Sequence, residues 1–157
     1  MIVRALYDCP QDKIATGYAN EGDEIGTSYR SCAVTASRPE FARPHGNRLL
    51  NTNANDAATE QYLKFAGEGF EMPVGSALAK ASISTSIKKR AARAGPLSIM
   101  TKVGAQEAPY TTGWLYAGLQ PDGEVMKLKQ SSCNDDQVGW QAQDHTGDPL
   151  EKARPGR

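Results

Sequence analysis

A chain of 157 residues has room for one domain with a modest hydrophobic core. Its 39% hydrophobic and 23% charged residues are ordinary for a globular protein, and 18 basic against 18 acidic side chains leave no net field for nucleic acid or an acidic membrane surface. No apolar run approaches the roughly 20 residues that cross a bilayer, and Cys9, Cys32 and Cys133 are too widely spaced for a disulfide framework or a zinc site.

Residues 1–28 hold Gly17, Gly22 and Gly26 among polar side chains without sustained periodicity, so they are expected to be loosely ordered, with at most a short helix near the start. Arg4, Asp8, Asp12 and Lys13 interrupt any signal-peptide core. The expected location is therefore cytoplasmic as written, and periplasmic if the true start lies upstream. Pro39, Pro44 and Gly46 make residues 31–47 an irregular lead-in. His45–Leu50 then reads as a strand ending in a turn at Asn51-Thr52-Asn53.

Asn55 or Asp56 is placed to cap a helix that carries Ala58, Tyr62, Leu63 and Phe65 near one face, with Gly67 and Gly69 beyond its end. Met72-Pro73-Val74-Gly75 is a turn. Ser76–Ser84 alternates as a strand with Ala77, Ala79, Ala81 and Ile83 on one side. Lys88, Lys89, Arg90, Arg93, Gly95 and Pro96 form a basic, solvated hairpin connection, followed by a strand over Leu97–Val103. Gly113–Leu119 is a third strand, and Pro121-Asp122-Gly123 turns it, since Pro presets φ and Gly accepts positive φ. Glu124–Lys129 returns as a fourth strand. The expected fold is α+β, a mainly antiparallel sheet with flanking helices.

In this order and with similar spacings, HGNRLLNTNANDAATEQYLKF, MPVGSALAKASIS and GPLSIMTKVGAQEAPYTTGWLYAGLQPDGEVMKLKQSSCND resemble the cytochrome P-460 domain. Tyr29-Arg30 resembles the pair that often opens it. The resemblance spans residues 29–152, leaving 1–28 as a leading segment and 153–157 as a tail. It implies a mainly antiparallel β domain with flanking helices, commonly a homodimer, bearing one c-type haem attached through C-x-x-C-H. Family members oxidise hydroxylamine or, as the cytochrome c′-beta proteins, bind nitric oxide. Lys80 falls where some members cross-link a lysine to the haem edge.

A c-type haem takes two thioether bonds and an imidazole ligand on one helical turn. The matching stretch here is Cys133-Asn134-Asp135-Asp136-Gln137. The first thiol is kept, Asp136 replaces the second, and Gln137 replaces the imidazole. Asp136 also brings a carboxylate to an apolar haem edge, where an unpaired charge is costly. His45 and His145, the two histidines of the chain, read as surface loop residues. Thr146 and Asp148 stand where the family often has apolar residues, and Trp114, Tyr116 and Trp140 read as core or pocket-wall aromatics.

The sequence thus points to a degenerate cytochrome P-460-like domain without covalent haem and with a binding or structural role. The alternative is a c-type haem protein for redox chemistry of small nitrogen compounds. The haem-equivalent positions are Cys133, Asp136, Gln137 and Lys80, and no metal site is expected: Asp135-Asp136 with Asp122 and Glu124 lacks EF-hand spacing. Cys133 has no base arrangement beside it for nucleophilic catalysis. Expected partners are a second copy of the chain and a small-molecule ligand, with no nucleic acid and no membrane.

Overall fold

The alternating stretch after Ser76 forms the central strand of the molecule. A computed structural model describes residues 2–43, 45–86, 88–137, 141, 143, 144, 146, 147 and 153–155, without the side chains of Ile2, Ser131, Asn134 and Asp136. Its strands are β1 (Ala33–Val34), β2 (Glu40–Ala42), β3 (Arg48–Ala54), β4 (Ala77–Ser86), β5 (Ala91–Lys102) and β6 (Trp114–Leu119). They form one antiparallel six-stranded sheet in the order β1-β3-β4-β5-β6, with β2 also on β3. Helices α1 (Ile2–Asp8), α2 (Gln11–Tyr18), α3 (Glu24–Ser28), α4 (Asp56–Tyr62) and α5 (Gln130–Gln137) flank it. The fold is α+β with a mainly antiparallel sheet, as the sequence predicts, and β4 pairs β5 from Ala77↔Thr101 to Ser86↔Ala91. No described helix is long and apolar enough to cross a membrane.

The period of two splits the sheet into two differently covered faces. On one, Ala79, Ala81 and Ile83 of β4 join Leu97 and Ile99 of β5 in a buried cluster with Tyr7, Ile14, Tyr18 and Tyr29. Tyr7, Ile14 and Tyr18 come from the segment expected to be loosely ordered, which instead forms three short helices packed on the sheet. Asp23 caps α3 by accepting from the Gly26 amide at 2.8 Å. The Tyr7 hydroxyl donates to the Ala81 carbonyl at 2.8 Å and that of Tyr18 to the Gly95 carbonyl at 2.6 Å.

Gly17 lies where α2 crosses the turn after β6, and a Cβ there would sit 2.0 Å from the Pro121 carbonyl oxygen. Alanine in a helix interior is normally worth up to ~1 kcal/mol over glycine. Here overpacking reverses the sign: Gly17→Ala is expected to lower stability by ~1–3 kcal/mol in urea unfolding.

On the other face Ala54, Leu78, Met100, Trp114 and Tyr116 are buried against Ala58 and Tyr62 of α4 and against Met72. Asn55 caps α4, its side chain accepting from the amides of Ala58 at 3.1 Å and Ala77 at 2.9 Å. Three expectations are corrected. Asn51-Thr52-Asn53 is not a turn but the body of β3, held by pairing to Ala81, Lys80 and Ala79. The lead-in over 31–47 contains β1 and β2. Glu124–Lys129 is not a strand: after the predicted Pro-Asp-Gly turn, with Gly123 at φ 93°, pairing reduces to a single Leu119↔Val125 bridge. Met126 and Leu128 instead lie over Gly118, the Met126 sulfur 3.0 Å from the place a Cβ would take.

Candidate functional site

Lys80 lies on β4 in the middle of the second face, directly opposite Thr52 on β3 and Ser98 on β5. Beside it the β4–β5 ladder breaks, with Gly95 and Pro96 of β5 facing Ser82 in a bulge. Pro has no amide to donate, which suits a bulge rather than a ladder position. The Ser82 hydroxyl donates to the Pro96 carbonyl at 2.7 Å and closes the irregularity. The basic connection expected over 88–96 is therefore shorter, and its last residues belong to β5.

A cavity of about 220 Å³ opens over this point. Lys80, Ser98 and Pro96 form its floor; Met100, Tyr116, Met126 and Leu128 give apolar walls; His45 and Arg48 come from the β2–β3 connection and the start of β3. Cys133 and Gln137 complete it from α5, where a separation of four residues places them on one helix face. Three of the four haem-equivalent positions, Lys80, Cys133 and Gln137, thus line one cavity although 57 residues separate Lys80 from Gln137. Asp136 lies on α5 between them, with its side chain outside the described residues.

Lys80 is 9% exposed and makes no hydrogen bond or ion pair among the described residues. Burial alone pushes its ammonium down to about 8. No carboxylate stands among the described residues lining the cavity. His45, read from sequence as a surface loop residue, faces the cavity instead, and its Nδ1 shares a hydrogen bond with Ser98 Oγ at 3.3 Å. Burial first, then the charges of Lys80 and Arg48, pushes the imidazole down to about 4, so it is neutral at pH 7. Arg48 is held at the rim by donating to the His45 carbonyl at 2.9 Å.

The neutral His45 fixes one pH response. Its pKa is lower folded than unfolded, so between about 6.5 and about 4 the unfolded chain binds more protons and stability falls with falling pH. The His45→Gln variant is expected to lose less stability than the parent between pH 7 and 4.5, checked by urea unfolding at both values.

The donor set does not fit a haem. A cavity of about 220 Å³ is below the ~300–1,000 Å³ that drug-sized ligands fill, and a porphyrin is larger still. One thiol lines it, and the amide of Gln137 stands at the position that the resemblance assigns to the axial imidazole. Among the described residues no cluster of His, Cys, Asp and Glu is arranged to hold a metal ion. His145, Trp140 and Asp148 lie outside the described residues, while Thr146 and Trp114 are fully buried and Tyr116 is nearly so.

A second buried polar group, Lys102 with Asp144, went unread in the sequence. Lys102 Nζ lies 2.8 and 2.9 Å from the two carboxylate oxygens, 3.0 Å from the Thr112 carbonyl oxygen and 5.2 Å above the Trp114 ring. It ties the chain after α5 to the sheet. A lysine at the end of an apolar strand carries no signal of its partner 42 residues on. No protein-family model matches the chain, and no curated protein matches it.

Proposed function

We propose that the chain is a cytochrome P-460-like domain whose haem site has become a pocket for a small ligand, so that it is a binding domain rather than a redox enzyme. The observation that carries this is the meeting of Lys80, Cys133 and Gln137 in one cavity. The resemblance assigns those positions to the haem, and residues so far apart in sequence have no other reason to be named together. The size of the cavity and the loss of the second thiol and the imidazole argue against the original cofactor. The homodimer that the resemblance implies belongs to the same proposal.

The rival reading, a c-type haem protein acting on hydroxylamine or nitric oxide, has one observation on its side. His45 brings a neutral imidazole to the same cavity. Expression with a signal peptide, in a compartment equipped for haem attachment, separates the two. The expected product has no Soret absorbance and no haem stain in a denaturing gel. A stained band at the mass of the chain would overturn the proposal.

A further inference from the structure

We infer that the cavity over β4 binds a small monocarboxylate with a short apolar tail, with the Lys80 ammonium as its counter-ion. This rests on the small-ligand reading and names the ligand class for it. An unpaired cation inside a protein is costly unless something compensates it. Lys80 has no acceptor among the described residues, although Thr52 and Ser98 flank it on the sheet. Lys80 lines the open cavity, so an anion entering there would supply that acceptor. Arg48 at the rim adds a second positive charge, and no acid among the described residues lining the cavity opposes either.

The walls narrow the class. Met100, Tyr116, Met126 and Leu128 give it an apolar side, and that surface favours a ligand with an apolar part over a fully hydrated anion such as phosphate. A volume of about 220 Å³ falls below the ~300–1,000 Å³ of drug-sized ligand sites and suits a small acid. An acid of four carbons has six non-hydrogen atoms and matches that space. The Ser98 hydroxyl and the neutral His45 imidazole supply uncharged hydrogen-bonding groups beside the carboxylate position. His45 is too weakly basic to be a second cation at neutral pH.

Calorimetric titration of the full chain at pH 7 tests this with butyrate as the probe, against butanol, butylamine and inorganic phosphate. Butyrate is expected to bind at least tenfold more tightly than each of the three. Lys80→Met is expected to lose butyrate binding while keeping the fold by circular dichroism. At pH 8.5 most Lys80 amines are neutral before binding, because the group titrates near 8. A carboxylate beside the amine raises that value, so binding takes up protons, seen as a dependence of the heat on the ionisation enthalpy of the buffer. His45, Arg48, Tyr116 and Cys133 are the other ionisable groups among the described residues lining the cavity, and Cys133→Ser is expected to leave the uptake in place.

Butanol binding as tightly as butyrate would overturn the carboxylate class while leaving a small-ligand pocket standing. Phosphate binding as tightly as butyrate would overturn the apolar-tail requirement. Failure of butyrate to bind, butyrate binding unchanged in Lys80→Met, or absence of proton uptake would each overturn the inference. Covalent haem on the purified chain would instead overturn the reading beneath it.

Discussion

Replacing Lys102 with Met is expected to lower the unfolding free energy by about 3–5 kcal/mol. Lys102 is 2% exposed and Asp144 9%, and the ammonium contacts both carboxylate oxygens, at 2.8 and 2.9 Å. Without it Asp144 keeps the Met72 amide at 2.7 Å and a long approach from Trp114 Nε1 at 3.4 Å. Those two donors do not neutralise a buried carboxylate. Glu71 lies 3.7 Å from Lys102 but is 77% exposed, so its share stays below ~1 kcal/mol.

The effect also has a structural reach. Asp144 accepts from the Met72 amide and, through its carbonyl, from Trp114 Nε1 at 2.9 Å. Loss of the ion pair therefore loosens both the turn before β4 and the segment after α5. A double variant, Lys102→Met with Asp144→Ala, is expected to be less destabilised than the sum of the two single variants, because no unpaired charge remains. Urea unfolding of the four proteins measures this. A loss below about 1 kcal/mol in Lys102→Met would mean that the pair is solvated and does not hold the segment.

The second large effect has the opposite sign. Lys80→Met is expected to stabilise the ligand-free protein by roughly 2–3 kcal/mol at pH 6–7, from ~1.4 kcal/mol per pKa unit. Burial holds the Lys80 amine near 8 in the fold, whereas a lysine in the unfolded chain titrates at 10.5. Below 8 both states carry the proton, and the folded state bears the full cost of burying it. Between 8 and 10.5 the unfolded state binds more protons, so the parent gains stability as pH rises. The advantage of Lys80→Met is therefore greatest at neutral pH and shrinks toward pH 10.5. A variant no more stable than the parent at pH 7 would mean that Lys80 already has a partner.

Such a gain on removing one side chain is the usual mark of a residue kept for binding rather than for stability. The same substitution that firms the fold is expected to empty the pocket of its anion affinity. Both outcomes rest on one geometric fact, a cation placed mid-sheet without an acid among the described residues of its cavity.

The central sheet was legible because its signals are local. Ala79, Ala81 and Ile83 alternate with polar residues, Asn55 precedes a run of helix formers, and Pro121-Asp122-Gly123 names its own turn. The N-terminal helices were not, because Tyr7, Ile14 and Tyr18 are scattered among polar residues across two short elements. Their order comes from the sheet they cover, through hydroxyls that reach Ala81 and Gly95, and no local propensity announces such a contact. Asn51, Thr52 and Asn53 looked like a turn because their side chains favour turns, yet ladder pairing on both sides of β3 overrides that preference.

The site was legible only in part. The family resemblance nominated Lys80, Cys133 and Gln137, all of which line the cavity, whereas His45 and Arg48 reach it through the β2–β3 connection and the start of β3. Gly46 and Asn47 both take positive φ in that connection, at 68° and 58°. That backbone choice, which the sequence only hints at with a glycine, carries the imidazole back over the sheet to Ser98.

The most direct measurement of the account is the titration of Lys80 itself, followed by NMR through its Cε and Nζ signals in the ligand-free protein. A buried, unpaired ammonium over the centre of the sheet is expected to titrate with a midpoint at about 8, and to move upward when butyrate is added. A midpoint near the ordinary lysine value of about 10.4, unmoved by butyrate, would contradict it, for then Lys80 is solvated or paired and the cavity holds no cation awaiting an anion.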